Sequence, residues 1–419
     1  MLTPSAELSS SFPIMRNKAF KLFCYARVFT ALAYQMLTIA IGWQMYALTG
    51  STFYLGLVGL MQFLPMIALT LIAGHAVDSY DRRLIIRMCQ FTASAGILIL
   101  AVGSYTNWLS KENILLIAFL VGAARAFEGP AMQALLPGLV DAPAFPQAVA
   151  LASSSLQTAT IIGPALGGLL YAHSPTLVFS LASLLFLISS LLISLIQVDL
   201  APQTREPVTL KSLCAGITFI RSKPAVLGAI SLDLFAVLLS GATALLPVYA
   251  REILAIGPAG MGILRAAPAA GALLMSVFLA HHPLRKRVGR TMFMAVIVFG
   301  LATIVFAVST SFILSLAALF VLGAADLISV VIRSSLVQLQ TPDEMRGRVS
   351  AINSMFIGTS NQLGEFESGL TAAWFGVVPS VLLGGTGTIL VAVIWMRAFA
   401  ALARIETLQN EGDNPSGNI

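Results

Sequence analysis

Apolar residues fill this chain in long runs. They show neither the two-residue alternation of a half-buried strand nor the single apolar stripe of a soluble helix. Such runs fall at 20–48, 53–77, 84–104, 113–138, 146–172 and 176–197, then at 224–250, 259–280, 291–310, 312–338, 347–375 and 377–400. Each exceeds or approaches the ~20 apolar residues that one helical crossing of a bilayer needs. Between the sixth and seventh runs lies the polar stretch VDLAPQTREPVTLKSLCAGITFIRSK. The pattern predicts an all-α membrane protein with twelve transmembrane helices, six on each side of that stretch. The lack of alternation argues against an outer-membrane barrel. The expected organisation is a cytoplasmic N-terminal segment at 1–19, a six-helix bundle at 20–197 and a cytoplasmic central loop at 198–223. A second six-helix bundle follows at 224–400, then a polar cytoplasmic tail at 401–419.

Composition agrees with this reading. Of 419 residues, 58% are hydrophobic and 10% are charged, whereas soluble domains carry about 25% charged residues. The three cysteines, Cys24, Cys89 and Cys214, lie far apart without histidine neighbours, so neither a disulfide framework nor a metal site is expected. The polar start lacks the order of a cleaved signal peptide, which makes the first apolar run a retained helix.

Charge then sets the expected orientation. With the N-terminus inside, eighteen Lys and Arg fall on cytoplasmic segments, among them Arg82, Arg83, Arg205, Lys211, Arg285, Arg287, Arg290 and Arg346, against only Lys111 and Arg251 opposite. By the positive-inside rule both termini are cytoplasmic. The net charge of +6 is therefore a topology signal, and no nucleic-acid partner is expected from patches such as RKRVGR.

The two halves repeat. A shift of 201 residues lays Gly122 on Gly323, Leu135 on Leu336, Gly163 on Gly364 and Gly168 on Gly369. Two related halves around a central site are a transporter architecture.

Charges inside the runs are confined. Arg27 lies in the first run, Arg125 and Glu128 in the fourth, Asp233 in the seventh, Asp326 and Arg333 in the tenth, with Arg265 in the eighth and Glu365 and Glu367 in the eleventh. Runs 2, 3, 5, 6, 9 and 12 carry none well inside. Intramembrane charge costs about 2.5–3.5 kcal/mol on insertion scales and marks a pathway, so helices 1, 4, 7 and 10 are expected to line a polar cavity. Arg125 and Glu128 are one helical turn apart, and Asp326 and Arg333 are seven residues apart, so each pair shares a face. These four are candidates for one central site, with a structural ion pair as the competing reading.

Several stretches resemble the major facilitator superfamily. GHAVDSYDRR (Gly74 to Arg83) is similar to its G-x-x-x-D-R-x-G-R-R loop: Gly74, Asp78, Arg82 and Arg83 match, while Ser79 and Asp81 depart from it. RVGR (Arg287 to Arg290) resembles the degenerate second copy. RAFEG (Arg125 to Gly129) is similar to the fourth-helix motif of proton-coupled exporters, and ATIIGPALGG (Ala159 to Gly168) to the fifth-helix motif of antiporters. YARVF, VDSYDRR and LQTPDEMRGRVSAINSMF (Leu339 to Phe356) resemble the enterobactin (siderophore) exporter-like branch of that superfamily, over roughly 20–400.

The resemblance implies two bundles that rock to give alternating access, with no cofactor and the proton gradient as energy source. It assigns the loop residues Gly74, Asp78, Arg82 and Arg83 to a cytoplasmic gate. Asp78 is expected to accept hydrogen bonds from helix N-terminal amides, and the arginines to pair with acids or the anionic leaflet. Gly163, Pro164, Gly167 and Gly168 are expected to bend the fifth helix and let it pack closely. A coupling group must titrate, which arginine does not. Glu128 beside Arg125, Asp233, Asp326, Glu365 and Glu367 are the candidates, with Glu128 and Asp326 favoured. Arg27, Arg125 and Arg333 near Tyr34, Gln35, Trp43 and Phe127 suit an anionic, aromatic substrate.

The expectation is thus a monomeric, proton-coupled exporter of a siderophore-like molecule in the bacterial inner membrane, in contact with lipid and protons. Drug efflux and lysolipid flipping are alternatives within the superfamily, and a non-transporting scaffold or receptor is the alternative outside it. No Ser/His/Asp set, phosphate loop or metal cluster points to an enzyme.

Overall fold

The computed structural model describes residues 13–197, 210–284 and 286–407. Arg205, Arg285, most of the N-terminal segment and most of the tail lie outside the described residues, as does the 198–209 part of the central loop.

The apolar runs become helices α1 (Lys18–Thr49), α2 (Thr52–Ser79), α3 (Arg82–Tyr105), α4 (Lys111–Leu135), α5 (Phe145–His173) and α6 (Pro175–Ser194). After them come α7 (Leu210–Ser222), α8 (Pro224–Leu239), α9 (Gly257–His281), α10 (Val288–Val308), α11 (Phe312–Gln340), α12 (Asp343–Phe375), α13 (Val377–Ala398) and the single turn α14 (Ala400–Ala403). Their ends follow local chemistry. Asn17 caps α1 by accepting from the Phe20 amide, and Gly50 closes the same helix at a φ of 59°, a left-handed value that glycine adopts without strain. Ser110 caps α4 by accepting from the Asn113 amide.

Among the described residues, eleven helical segments are long and apolar enough to cross a membrane. The remaining expected span, the eleventh run, is α12, which has the length, with 33 residues. Its Asn353, Thr359, Ser360, Asn361, Gln362, Glu365 and Glu367 dilute its apolar character. Two expectations change in detail. The seventh run is not one continuous helix: α8 stops at Leu239, a 3₁₀ segment occupies Gly241–Leu245, and a π-helical turn spans Tyr249–Ile253. Ser240 breaks the α-helical conformation at φ −104° and ψ 44°, and Gly241 sits where an added Cβ would strike the Gly364 carbonyl. The central loop is not wholly a loop either. Residues 210–222 form α7, because Leu210, Leu213, Ile217 and Ile220 recur at helical spacing.

The chain divides into two compact units. Among the described residues, the first takes in 13–50, 61–197 and 257–266, and the second 51–60, 210–256, 267–284 and 286–407. In the first, Phe20, Phe23, Ile86, Leu135, Ala148 and Ile193 form a buried core contributed by α1, α3, α4, α5 and α6. In the second, Leu232, Met292, Phe293, Ile332, Leu336 and Ala392 do the same for α8, α10, α11 and α13. A smaller cluster of Ile220, Val226, Ile230, Val337, Val349 and Ile352 fastens α7 to the second unit.

The 201-residue repeat has a structural counterpart in the glycine contacts of each unit. Gly122 on α4 faces the backbone of Gln62 on α2, and Gly323 on α11 faces the backbone of Pro268 on α9. Gly163 on α5 lies against Gln35 of α1, as Gly364 on α12 lies against Leu238 of α8. Close helix approach, which small residues permit, is therefore made at matching places in both halves.

Candidate transport site

The first unit carries a buried polar network. Glu128 on α4 is 4% exposed. Its Oε2 accepts from the Tyr34 hydroxyl of α1 at 2.7 Å, and its Oε1 accepts from the Gln90 amide of α3 at 2.8 Å. The same Gln90 Nε2 donates to Thr30 Oγ1 at 3.0 Å. Thr30 and Ser189 hydroxyls are 2.8 Å apart, and Ser189 donates to the Ala26 carbonyl at 2.9 Å. One carboxyl is thereby tied to α1, α3 and α6. Burial of a polar group costs free energy unless it is hydrogen-bonded, and this chain meets most of that demand; Gln90 Oε1 is left without a partner among the described residues.

Arg125 does not take the place expected for it. Both oxygens of Glu128 are engaged by the neutral donors Tyr34 and Gln90, and the Arg125 guanidinium instead lies over the Tyr34 ring, 5.2 Å from its centroid. That arrangement is a cation–π contact. Arg125 is itself exposed, and Phe186 of α6 meets the same Tyr34 ring edge-on at 4.8 Å. Arg27 is half-buried on α1, and the Trp43 ring lies tilted to that of Tyr171, 6.4 Å between centroids.

The second unit resolves its charges differently. Arg333 of α11 forms an ion pair with Asp233 of α8, both almost wholly buried. Arg333, expected to suit an anionic substrate, here has its charge balanced by Asp233, which is remote in the sequence but adjacent in the fold. Removing one member of such a pair leaves an uncompensated buried charge and costs about 3–5 kcal/mol. Asp326, half-buried on α11, shares with Asp233, Ala236, Phe299 and Ser329 the lining of a small cavity. Seven residues apart, Asp326 and Arg333 do share a side of α11, yet it is Asp233 that closes the ion pair. On α12, Glu365 is half-buried beside Gly59, and Glu367 accepts from the Ser368 hydroxyl at 3.4 Å. Asn353, Thr359 and Gln362 of the same helix each bury an oxygen with no partner among the described residues.

The loop motif is realised through a departure from the family pattern. Asp81, standing where the motif has glycine, caps α3 by accepting from the Arg83 amide at 2.9 Å and pairs with the Arg83 guanidinium at 2.8 Å. That guanidinium holds the Asp81 carboxyl below its ordinary value. Arg83 also donates to the Ile196 carbonyl at 2.9 Å, and Arg82, 9% exposed, donates to the Ala134 carbonyl at 3.0 Å. Both arginines thus cap the carbonyl ends of α4 and α6, where the helix dipole is negative. Asp78 is exposed in the last turn of α2 and has no hydrogen bond among the described residues, and an added Cβ at Gly74 would meet open space. The gate role expected of Asp78 is not engaged in this arrangement; Asp81 does the capping.

The fifth-helix motif is tightly packed. An added Cβ at Gly163 would come within 2.6 Å of Gln35 Cβ, and at Gly167 within 2.8 Å of Met36 Cα. Gly168 approaches Gly262 of α9 so closely that a Cβ would stand 3.0 Å from its Cα, and Pro164 is buried beside them.

Charge scanning of the sequence finds Glu128 and Arg125 but passes over Gln90, Thr30 and Ser189, because these carry no charge. The signal available for Gln90 is a lone amide within the third apolar run.

The family model described as transmembrane secretion effector matches residues 9–416. The chain belongs to that family. Among curated relatives, the enterobactin exporter EntS of Shigella boydii serotype 18 is 28% identical over 397 residues, 93% of each chain. EntS of Citrobacter koseri is 29% identical over the same share. Among solved structures, an inward-facing bacterial homolog of the human lysosomal transporter Spinster superposes with a TM-score of 0.72 at 12% identity, covering 94% of this chain and 97% of that one. The nucleoside transporter NupG does so with a TM-score of 0.65 at 14% identity, covering 92% of this chain and 99% of that one. At those identities the structures establish the twelve-helix major facilitator fold alone. Family, relatives and fold make the protein a multi-pass membrane protein and a secondary transporter that exports small molecules.

Proposed function

We propose that the protein exports a small anionic, aromatic compound, of the catecholate siderophore kind, across a bacterial inner membrane in exchange for protons, with Glu128 carrying the proton. The observation that supports this is the environment of Glu128. Buried carboxylates are stabilised by a paired cation or made neutral by proton uptake. Asp233 has the first, in Arg333. Glu128 has the neutral donors Tyr34 and Gln90 on its oxygens, with the Arg125 charge one turn away acting through space rather than through an ion pair, so its charge is more open to change than that of Asp233. Asp326 is the second carboxyl in this position, lining its cavity without a paired cation among the described residues. Arg125, exposed and resting on Tyr34 one turn from Glu128, offers a guanidinium face to an aromatic anion. The names of the enterobactin-exporting relatives support that substrate class.

The experiment is transport in proteoliposomes under an imposed pH gradient. With catecholate substrate, Glu128→Gln is expected to abolish uphill flux while leaving gradient-free exchange of substrate intact. Uphill flux in Glu128→Gln equal to wild type would remove Glu128 from coupling. Wild-type flux with drugs or lysolipids but none with catecholates would replace the substrate.

A further inference from the structure

The helix that opens with the second copy of the loop motif meets the chain's last described segment at one corner of the second unit. Val288 and Gly289 donate their amides to the Glu406 and Ile405 carbonyls at 3.3 and 3.0 Å. The segment after α14 is thereby laced to the start of α10. Between them lies a cavity of about 460 Å³, within the ~300–1,000 Å³ of small-ligand pockets. Its lining holds three arginines, Arg287, Arg290 and Arg404, with the apolar Met396, Ala400 and Ala403 and the acidic Glu406.

The first unit shows what arginines at such a helix start do when their role is internal. There Arg82 and Arg83 are consumed by the carbonyls of Ala134 and Ile196 and by the Asp81 carboxylate. At the start of α10 none of this is repeated. No aspartate caps the helix; Arg287 occupies that position at a φ of 54°, without a capping hydrogen bond from its side chain. The guanidinium groups of Arg287, Arg290 and Arg404 are exposed and have no hydrogen bond or ion pair among the described residues. With Glu406 included, three positive groups against one negative leave the cavity at +2.

We propose that this corner binds the phosphate-bearing headgroup of an anionic phospholipid. Guanidinium groups match phosphate oxygens in shape and charge. The corner stands at the ends of two spans, α10 and α13, which is where headgroups lie. The apolar side chains in the same lining suit the glycerol and upper acyl carbons of a lipid, which free phosphate lacks. Basic groups near a bilayer surface each contribute about 1 kcal/mol toward anionic lipid.

The test uses the full chain in nanodiscs of phosphatidylcholine carrying spin-labelled phosphatidylglycerol, with the motionally restricted fraction as readout. Arg290→Ala/Arg404→Ala is expected to weaken retention of the label by roughly ten-fold or more, and Arg290→Lys/Arg404→Lys to recover most of it. Arg287 is left in place, because at its φ of 54° a substitution would disturb the backbone as well as remove the charge. Should the double alanine variant not fold, single Arg404→Gln, at an exposed site, is read in the same way. Retention unchanged by these substitutions overturns the proposal. Inorganic phosphate that displaces the label as readily as added phosphatidylglycerol does would identify free phosphate as the ligand and overturn it as well.

Discussion

At the scale of single residues, Gln90 decides how the candidate coupling site is held. It is fully buried, donates to both Glu128 and Thr30, and connects α3 to α4 and α1. Leaving a buried acceptor unsatisfied costs about 1–3 kcal/mol. Gln90→Leu removes the donor without adding charge. It is expected to lower gradient-driven flux by an order of magnitude and to move its pH profile, since Glu128 then ionises against a poorer environment; substrate binding without a gradient should change little. A pH profile superimposable on wild type would reduce Gln90 to packing. This residue also marks the limit of what the sequence makes legible. Arg125 and Glu128 stand out because charge in an apolar run is costly. Their partners do not: Gln90, Thr30 and Ser189 are single uncharged residues on three helices, brought together only by folding. For the same reason the sequence pairs Arg125 with Glu128 through their one-turn spacing, whereas Tyr34, 94 residues away, supplies both the hydroxyl and the ring.

At the scale of elements, apolar run length places the spans well, because the bilayer imposes it. Departures occur where tertiary contacts override the run. The seventh span breaks at Ser240 and Gly241, pressed against α12, and α12 itself carries polar residues from Asn353 to Glu367 while still packing into its unit. Glycines show the same division between local and tertiary causes. Gly167 faces Met36 Cα, where an added Cβ would be 2.8 Å away, whereas nothing lies within 4 Å of an added Cβ at Gly129. Gly167→Ala is therefore expected to push α5 from α1 and to lower stability by about 1–3 kcal/mol. Gly129→Ala, within the continuous α4, should be neutral or slightly stabilising, because alanine favours helix by about 1 kcal/mol. Thermal melting of the two variants in detergent measures this directly; equal melting points would mean that α5 can shift to accommodate a methyl group. Gly129-Pro130 does not interrupt α4, which runs on to Leu135.

At the scale of the whole molecule, the remaining expectation is orientation. Each Lys or Arg in a short loop resists translocation, and the bias accumulates over loops. Eighteen such residues against two, Lys111 and Arg251, predict both termini on the cytoplasmic side. Arg82 and Arg83 show that part of this charge is also spent inside the fold, capping helix ends, so a count of basic residues does not separate topology from structure. Green fluorescent protein fused after Ile419 separates them, since it matures in the cytoplasm and alkaline phosphatase matures only outside. Strong fluorescence with an inactive phosphatase fusion is expected at the C-terminus. The reverse pattern would invert the molecule, and with it the side from which protons would reach Glu128 as the proposed carrier and the leaflet that would meet Arg287, Arg290 and Arg404. Moving two lysines into the 106–110 segment ahead of Lys111 should weaken the bias and yield a mixed population, because the rule acts through the difference between sides rather than through any one charge.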